Sequence, residues 1–119
     1  MDATDAVLQR MFAHQILLKM VHFQTRLFAR HKAVDDYLET FADQFDRFFE
    51  SLQGIQGRLR STELRFRLRT LRDEELLDYL AWFRDRVLLR MPFRAPELVN
   101  IRDEMAASVD KLAYLLSFA

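Results

Sequence analysis

Five residues of this chain have the types and spacing of a metal site. His31 and Asp35 stand four apart, Asp46 and Glu50 stand four apart, and eleven residues lie from Asp35 to Asp46. Eleven is close to a whole number of turns at about 3.6 residues per turn, so on one α-helix all four side chains project to the same side. Imidazole and carboxylate together suit first-row divalent metals. The midpoints of the two pairs are separated by about 22 Å of helix axis, so one chain holds only half of each site. A second copy of the helix, laid antiparallel about a two-fold axis near Thr40 and Phe41, brings His31 and Asp35 of one chain against Asp46 and Glu50 of the other. Two equivalent sites result. His22 is the fifth residue: it precedes a short helix–helix corner and can approach His31 from the other side, though a histidine there can equally serve only to cover the hairpin end.

The element that must position these groups is a helix over His31 to Arg60. Val34, Leu38, Phe41, Phe45, Phe48, Leu52 and Ile55 recur in steps of four and three, which is the buried stripe of an amphipathic helix. Before it, a first helix is expected from an N-cap at Thr4 to about Ala29. Its apolar residues cover two sides, Leu8, Met11, Leu18 and Val21 on one and Phe12, Ile16, Met20, Phe23 and Leu27 on the other. Such a wide arc is usually buried twice, here against the second helix and against the rest of a bundle or another chain. The corner is expected at Arg30 to Lys32, which makes the two helices an antiparallel hairpin.

Past Gly54 and Gly57 the helical pattern weakens, and from Glu63 the sequence reads ELRFRLRTL, alternating apolar and charged. That period belongs to an extended segment. With no second alternating run to pair with, it reads as a long crossover, about 33 Å for ten residues, that sets the third helix parallel to the second. The third helix is expected to start after Thr70 with Asp73 at the capping-box position, and to run to about Leu89 through Leu76, Leu77, Leu80, Trp82, Phe83 and Val87. Met91-Pro92-Phe93 ends it. The fourth helix runs from Glu97 to Ser117 behind Pro96, with a stripe of Leu98, Ile101, Met105, Val109, Leu112 and Leu116.

The composition agrees with one all-α domain over residues 1–119. Half the residues are hydrophobic, Gly and Pro number two each, and there is no cysteine, which excludes disulfides and thiolate zinc sites. Eighteen basic residues balance eighteen acidic ones, so no net field draws nucleic acid or anionic lipid. The exception is local: Arg58, Arg60, Arg65, Arg67, Arg69 and Arg72 concentrate on the crossover. Such a strip suits a phosphate backbone or an acidic protein surface, but aromatic interleaving is limited to Phe66, and nucleic acid is not expected as a partner. The acidic start of the chain does not read as a signal peptide, and His14, Gln15, Lys19 and His22 interrupt the first apolar run too often for a membrane span. The expectation is a protein neither secreted nor transmembrane. No E-x-x-H, H-E-x-x-H, glycine-rich phosphate loop or nucleophile elbow occurs, which leaves diiron-bundle, metalloprotease, nucleotide-binding and hydrolase motifs without support.

Two resemblances attach to these residues. His22 followed by His31-x3-Asp35 and Asp46-x3-Glu50 is similar to the intersubunit ferroxidase motif of Dps-type mini-ferritins. That resemblance implies a ferritin-like four-helix bundle with the long crossover between helices 2 and 3. It also implies iron as the metal, with other first-row divalent ions as alternatives, and a homodimer through helix 2. His22, His31 and Asp35 would lie on one subunit and Asp46 and Glu50 on its mate. Ferroxidase chemistry is implied only where that site is functional. The shorter separation of His22 from His31, and Phe23 where tryptophan is usual, depart from the motif. Over nearly the whole chain the sequence resembles a family of small uncharacterised ferritin-like proteins of large DNA viruses and phages. The likeness is carried by His22 to Thr25, Ala29 to Ala33, Asp46, Glu50, Gly54 to Arg58, Asp73 to Leu80 and Leu98 to Met105. It implies a viral setting, in the virion or the host-cell cytoplasm. It also opens an alternative function: a minor virion component or assembly factor that contacts capsid proteins through apolar residues such as Phe12, Phe23, Phe28, Phe49 and Trp82, its metal site vestigial.

Overall fold

In the computed structural model, which describes residues 2–60, 62–67 and 69–118, the chain forms four helices, and among the described residues there is no strand. The first, α1, spans Ala3–Gln24. Its cap is Asp2, whose carboxylate accepts from the Asp5 N–H at 2.8 Å, and not the expected Thr4, which lies inside the first turn. An aspartate two residues upstream caps as well as threonine does and lengthens the helix. At the other end α1 stops five residues earlier than expected. Thr25 is extended and its N–H closes the last turn on the Val21 carbonyl, while its hydroxyl accepts from the Leu27 N–H. A threonine side chain that offers the backbone a local partner ends the helix without glycine or proline.

The second helix, α2, spans Phe28–Gln56. The corner is therefore at 25–27 and not at Arg30 to Lys32, and His31 sits within the first turn of α2. At about 1.5 Å per residue the helix is about 43 Å long, which matches the 44 Å long dimension of the molecule. Val34, Leu38, Phe41, Phe45, Phe48 and Leu52 are buried as the stripe requires, and Ile55 in the last turn is 53% exposed. Phe49, expected to be available to a partner, is buried between Phe45 and Phe48 of the same helix. Full burial of Phe41 and Phe48 contributes about 2–3 kcal/mol each. Gly57 ends α2 at φ +94°, a conformation that costs a residue with a Cβ about 1–2 kcal/mol.

Residues 57–72 have no regular secondary structure where described. They travel the length of α1: Thr62 lies beside Asp5 near its start and Thr70 accepts from the Gln24 side chain at its end. Leu59, Leu64 and the buried Leu71 face the core while the arginines of the segment face water. The third helix, α3, spans Asp73–Trp82 and opens beside the start of α2, where Arg30 Nη1 lies 2.8 Å from Asp73. Its N-terminus is held by Glu75, whose carboxylate accepts from both the backbone N–H and the Nε of Arg72 at 3.0 Å. The expected Thr70/Asp73 box is replaced because the N-cap is Arg72, which makes Asp73 the first residue of the helix and Glu75 the third. After Trp82 the winding widens into a π-helical segment, Phe83–Leu88, closed by Leu89 N–H to Arg84 carbonyl. The last helix, α4, spans Pro96–Leu116, and all six expected stripe residues are buried. Arg47 meets Glu104 at 2.8 Å and Gln44 donates to Ser108 further along, so α4 runs antiparallel to α2. Among the described residues no helix is long and apolar enough to cross a membrane.

Candidate metal centre

The α1–α2 corner brings two of the five candidate ligands, His22 and His31, into contact, and Asp35 lies near His22. His22 lies in the last turn of α1 and His31 in the first turn of α2, and their rings stack with centroids 3.9 Å apart and planes 22° apart. Each ring is held by the other's backbone. His31 Nδ1 donates to the His22 carbonyl at 2.7 Å, and His22 Nδ1 reaches the His31 carbonyl at 3.2 Å. A carbonyl can only accept, so the hydrogen-bond pattern assigns the proton of each neutral ring to Nδ1 and leaves both Nε2 lone pairs unspent. In metal-binding imidazoles one nitrogen is commonly anchored by a carbonyl in this way and the other is left to the metal. The His22 carbonyl belongs to the last turn of α1, where carbonyls lack helical partners, so the contact also caps the helix. Asp35, one turn past His31, places Oδ1 3.9 Å from His22 Nε2. That is too far for a hydrogen bond.

Asp46 and Glu50 stand on the same exposed side of α2, farther along the rod. The structure does not bring them to the histidines. Glu50 borders a hollow shared with Glu97, Asn100 and Glu104 of α4, whereas Asp35 borders one shared with Gln15 and Lys19 of α1. Among the described residues of the single chain, no group of three or more His, Asp or Glu is drawn together closely enough to hold a metal ion. The chain alone presents two oriented imidazoles and an adjacent carboxylate.

A third histidine does something different. His14 is fully buried, stacked on Phe83 at 3.6 Å between ring centroids, with Nδ1 2.7 Å from the Tyr79 hydroxyl and Nε2 2.7 Å from the Tyr37 hydroxyl. Burial pushes its pKa down from 6.5 to about 3, so the ring stays neutral, and burial likewise raises both phenols. The sequence holds a signal for this: Met11, His14, Leu18 and Val21 step by three and four, which places His14 in the core stripe of α1 and not among its polar interruptions. Which tyrosines it meets depends on how three helices pack.

No solved structure matches this chain. A protein of Enterobacteria phage T4, described as an uncharacterized 14.6 kDa protein in the mobD-ri intergenic region, is 37% identical over 54 residues. The match covers 45% of this chain and 42% of that protein, so the chain spans under half the length of the relative. A family model matches residues 22–116, a span that opens at His22 and contains all five candidate ligands. With most of its length so matched, the chain belongs to the DUF5856 family of unknown function.

Proposed function

We propose that this protein is a ferritin-like bundle that forms a two-fold dimer through α2 and binds iron, or another first-row divalent metal, at two intersubunit sites. His22, His31 and Asp35 of one copy supply the first half of each site, and Asp46 and Glu50 of a second copy complete it. The observation that carries this reading is the His22–His31 pair, both rings anchored through Nδ1, with His22 Nε2 3.9 Å from Asp35. The donor set of imidazole and carboxylate suits Fe(II), Zn(II) or Mn(II). Bound Fe(II) would supply electrons to oxygen or peroxide, the chemistry of a ferroxidase. The course of the crossover, which starts α3 at the same end as α2, supports the ferritin-like reading of the bundle.

Complementation tests the shared site. The variants His31→Ala and Glu50→Ala each lose metal, measured by titration with Fe(II) under anaerobic conditions and with Zn(II). Mixed and allowed to exchange subunits, they recover about one quarter of the wild-type sites, since about half the dimers are hybrid and each hybrid has one intact site of two. Binding that survives in either variant, or mixtures that recover nothing, would sink the intersubunit site.

A second reading is favoured by the exposed apolar end of the molecule. Phe23 (67%), Phe28 (79%), Tyr114 (63%) and Phe118 (63%) stand in water near the α1–α2 corner and the end of α4. A surface of this kind suits a structural or assembly role in a virion, with the metal site vestigial. A metal-free dimer or larger assembly that forms equally well with His31 and Glu50 changed supports it.

A further inference from the structure

We propose that the cavity between the crossover, α1 and α3 binds a nucleoside phosphate. Its volume is about 510 Å³, and the residues that argue for a ligand are Arg10 of α1, Phe66, Arg67 and Arg69 of the crossover, and Tyr79 and Trp82 of α3. A cavity of this size lies within the range that small-molecule sites occupy.

The charges are unspent. Arg65 and Arg72 of the crossover pair with Glu63 and with Glu74 and Glu75, but among the described residues Arg10, Arg67 and Arg69 have no carboxylate within 4.0 Å. Three guanidinium groups that, among the described residues, lack an ion-pair partner line one hollow, and each offers planar paired donors to phosphate oxygens. Of the two carboxylates on the wall, Glu75 is committed to the start of α3, where it accepts from Arg72. Asp78 on the same helix has no cationic partner among the described residues, and it suits the amino edge of a base.

The rings are also partly open to solvent. Phe66 and Trp82 remain 40% exposed although both border the cavity, and the Arg10 guanidinium lies over Trp82 at 5.1 Å from the ring centroid. Half-wet aromatic faces next to arginines suit a flat, uncharged ring system joined to an anion, which is the chemistry of a nucleotide; a simple anion would leave the rings unused. The inference is independent of the metal centre, which uses none of these residues.

The test uses the full chain and its own reporter, since Trp82 is the sole tryptophan. AMP and GMP are titrated while the tryptophan emission is followed with excitation above the absorption of the bases. Saturable quenching is expected at submillimolar concentration. The double variant Arg67→Gln/Arg69→Gln, both sites exposed and unpaired, is expected to keep the helical circular dichroism of the wild type and to bind about tenfold or more weakly. Adenosine and inorganic phosphate are each expected to bind about tenfold or more weakly than AMP. The proposal is overturned by an absence of saturable quenching, by unchanged binding in the double variant, by inorganic phosphate binding as tightly as AMP, or by binding of oligonucleotides with none of mononucleotides.

Discussion

His14 shows what a single residue does to the pH response of the whole fold. In the folded chain its pKa is pushed down to about 3 by burial, against 6.5 for a free ring. Between those values the unfolded chain takes up a proton that the folded chain cannot. This contribution to stability is therefore complete above about pH 6.5 and is lost progressively as the pH falls toward 3, at up to about 1.4 kcal/mol per pH unit. Urea midpoints taken at pH 7, 5.5 and 4.5 are expected to fall steeply for the wild type. His14→Gln, which cannot take up that proton, is expected to flatten the slope, and parallel slopes for the two proteins would contradict the assignment. Changing His14 to Phe is expected to cost about 1–3 kcal/mol at pH 7 as well, because the Tyr37 and Tyr79 hydroxyls lose their partner in the core.

Among the elements, the π-helical segment has the clearest consequence. An α-helix continued from Leu76, Leu80 and Phe83 turns Val87 to the core and leaves Leu88 on the flank; the wider winding buries both, Leu88 at 0% exposure, while Leu89 is 40% exposed. Leu88→Ala is expected to destabilise the fold by about 2–5 kcal/mol and Leu89→Ala by less than about 1 kcal/mol, measured by denaturant titration. The end of α2 permits a paired test. A Cβ at Gly54 meets nothing within 4 Å, so Gly54→Ala is expected to stabilise by about 0.5–1 kcal/mol. Gly57 at φ +94° also has space for a Cβ but not the backbone conformation, and Gly57→Ala is expected to destabilise by about 1–2 kcal/mol. Equal effects at the two glycines would show that the left-handed turn is not what ends the helix.

At the scale of the whole molecule, electrostatics on α2 decide how a dimer would form. Its exposed surface carries Asp35, Asp36, Glu39, Asp43, Asp46 and Glu50 against Lys32 and Arg47. Two such surfaces laid together repel each other unless cations enter between them. Dimerisation through α2 is therefore expected to tighten by about tenfold or more when Zn(II) or Fe(II) is added, as linkage between metal and association demands, and sedimentation equilibrium with and without the metal measures it. The long apolar stripes of α2 and α4 were legible from residue spacing alone, since 3.6-residue periodicity needs no knowledge of what the stripe packs on. That Asp35, Asp46 and Glu50 lie on the exposed side of α2 was equally local. The place of the α1–α2 corner was not, because Thr25 ends a helix through one side-chain hydrogen bond, a weaker signal than glycine or proline. Nor was the winding of Phe83 to Leu88, which answers to the surface against which it packs. Spacing along the chain thus determined the helices and which residues share a face. Only the packing of one helix on another decided that His22 and His31 hold each other by their carbonyls and that His14 lies between two tyrosines, because contacts between residues distant in sequence are set by how the faces meet.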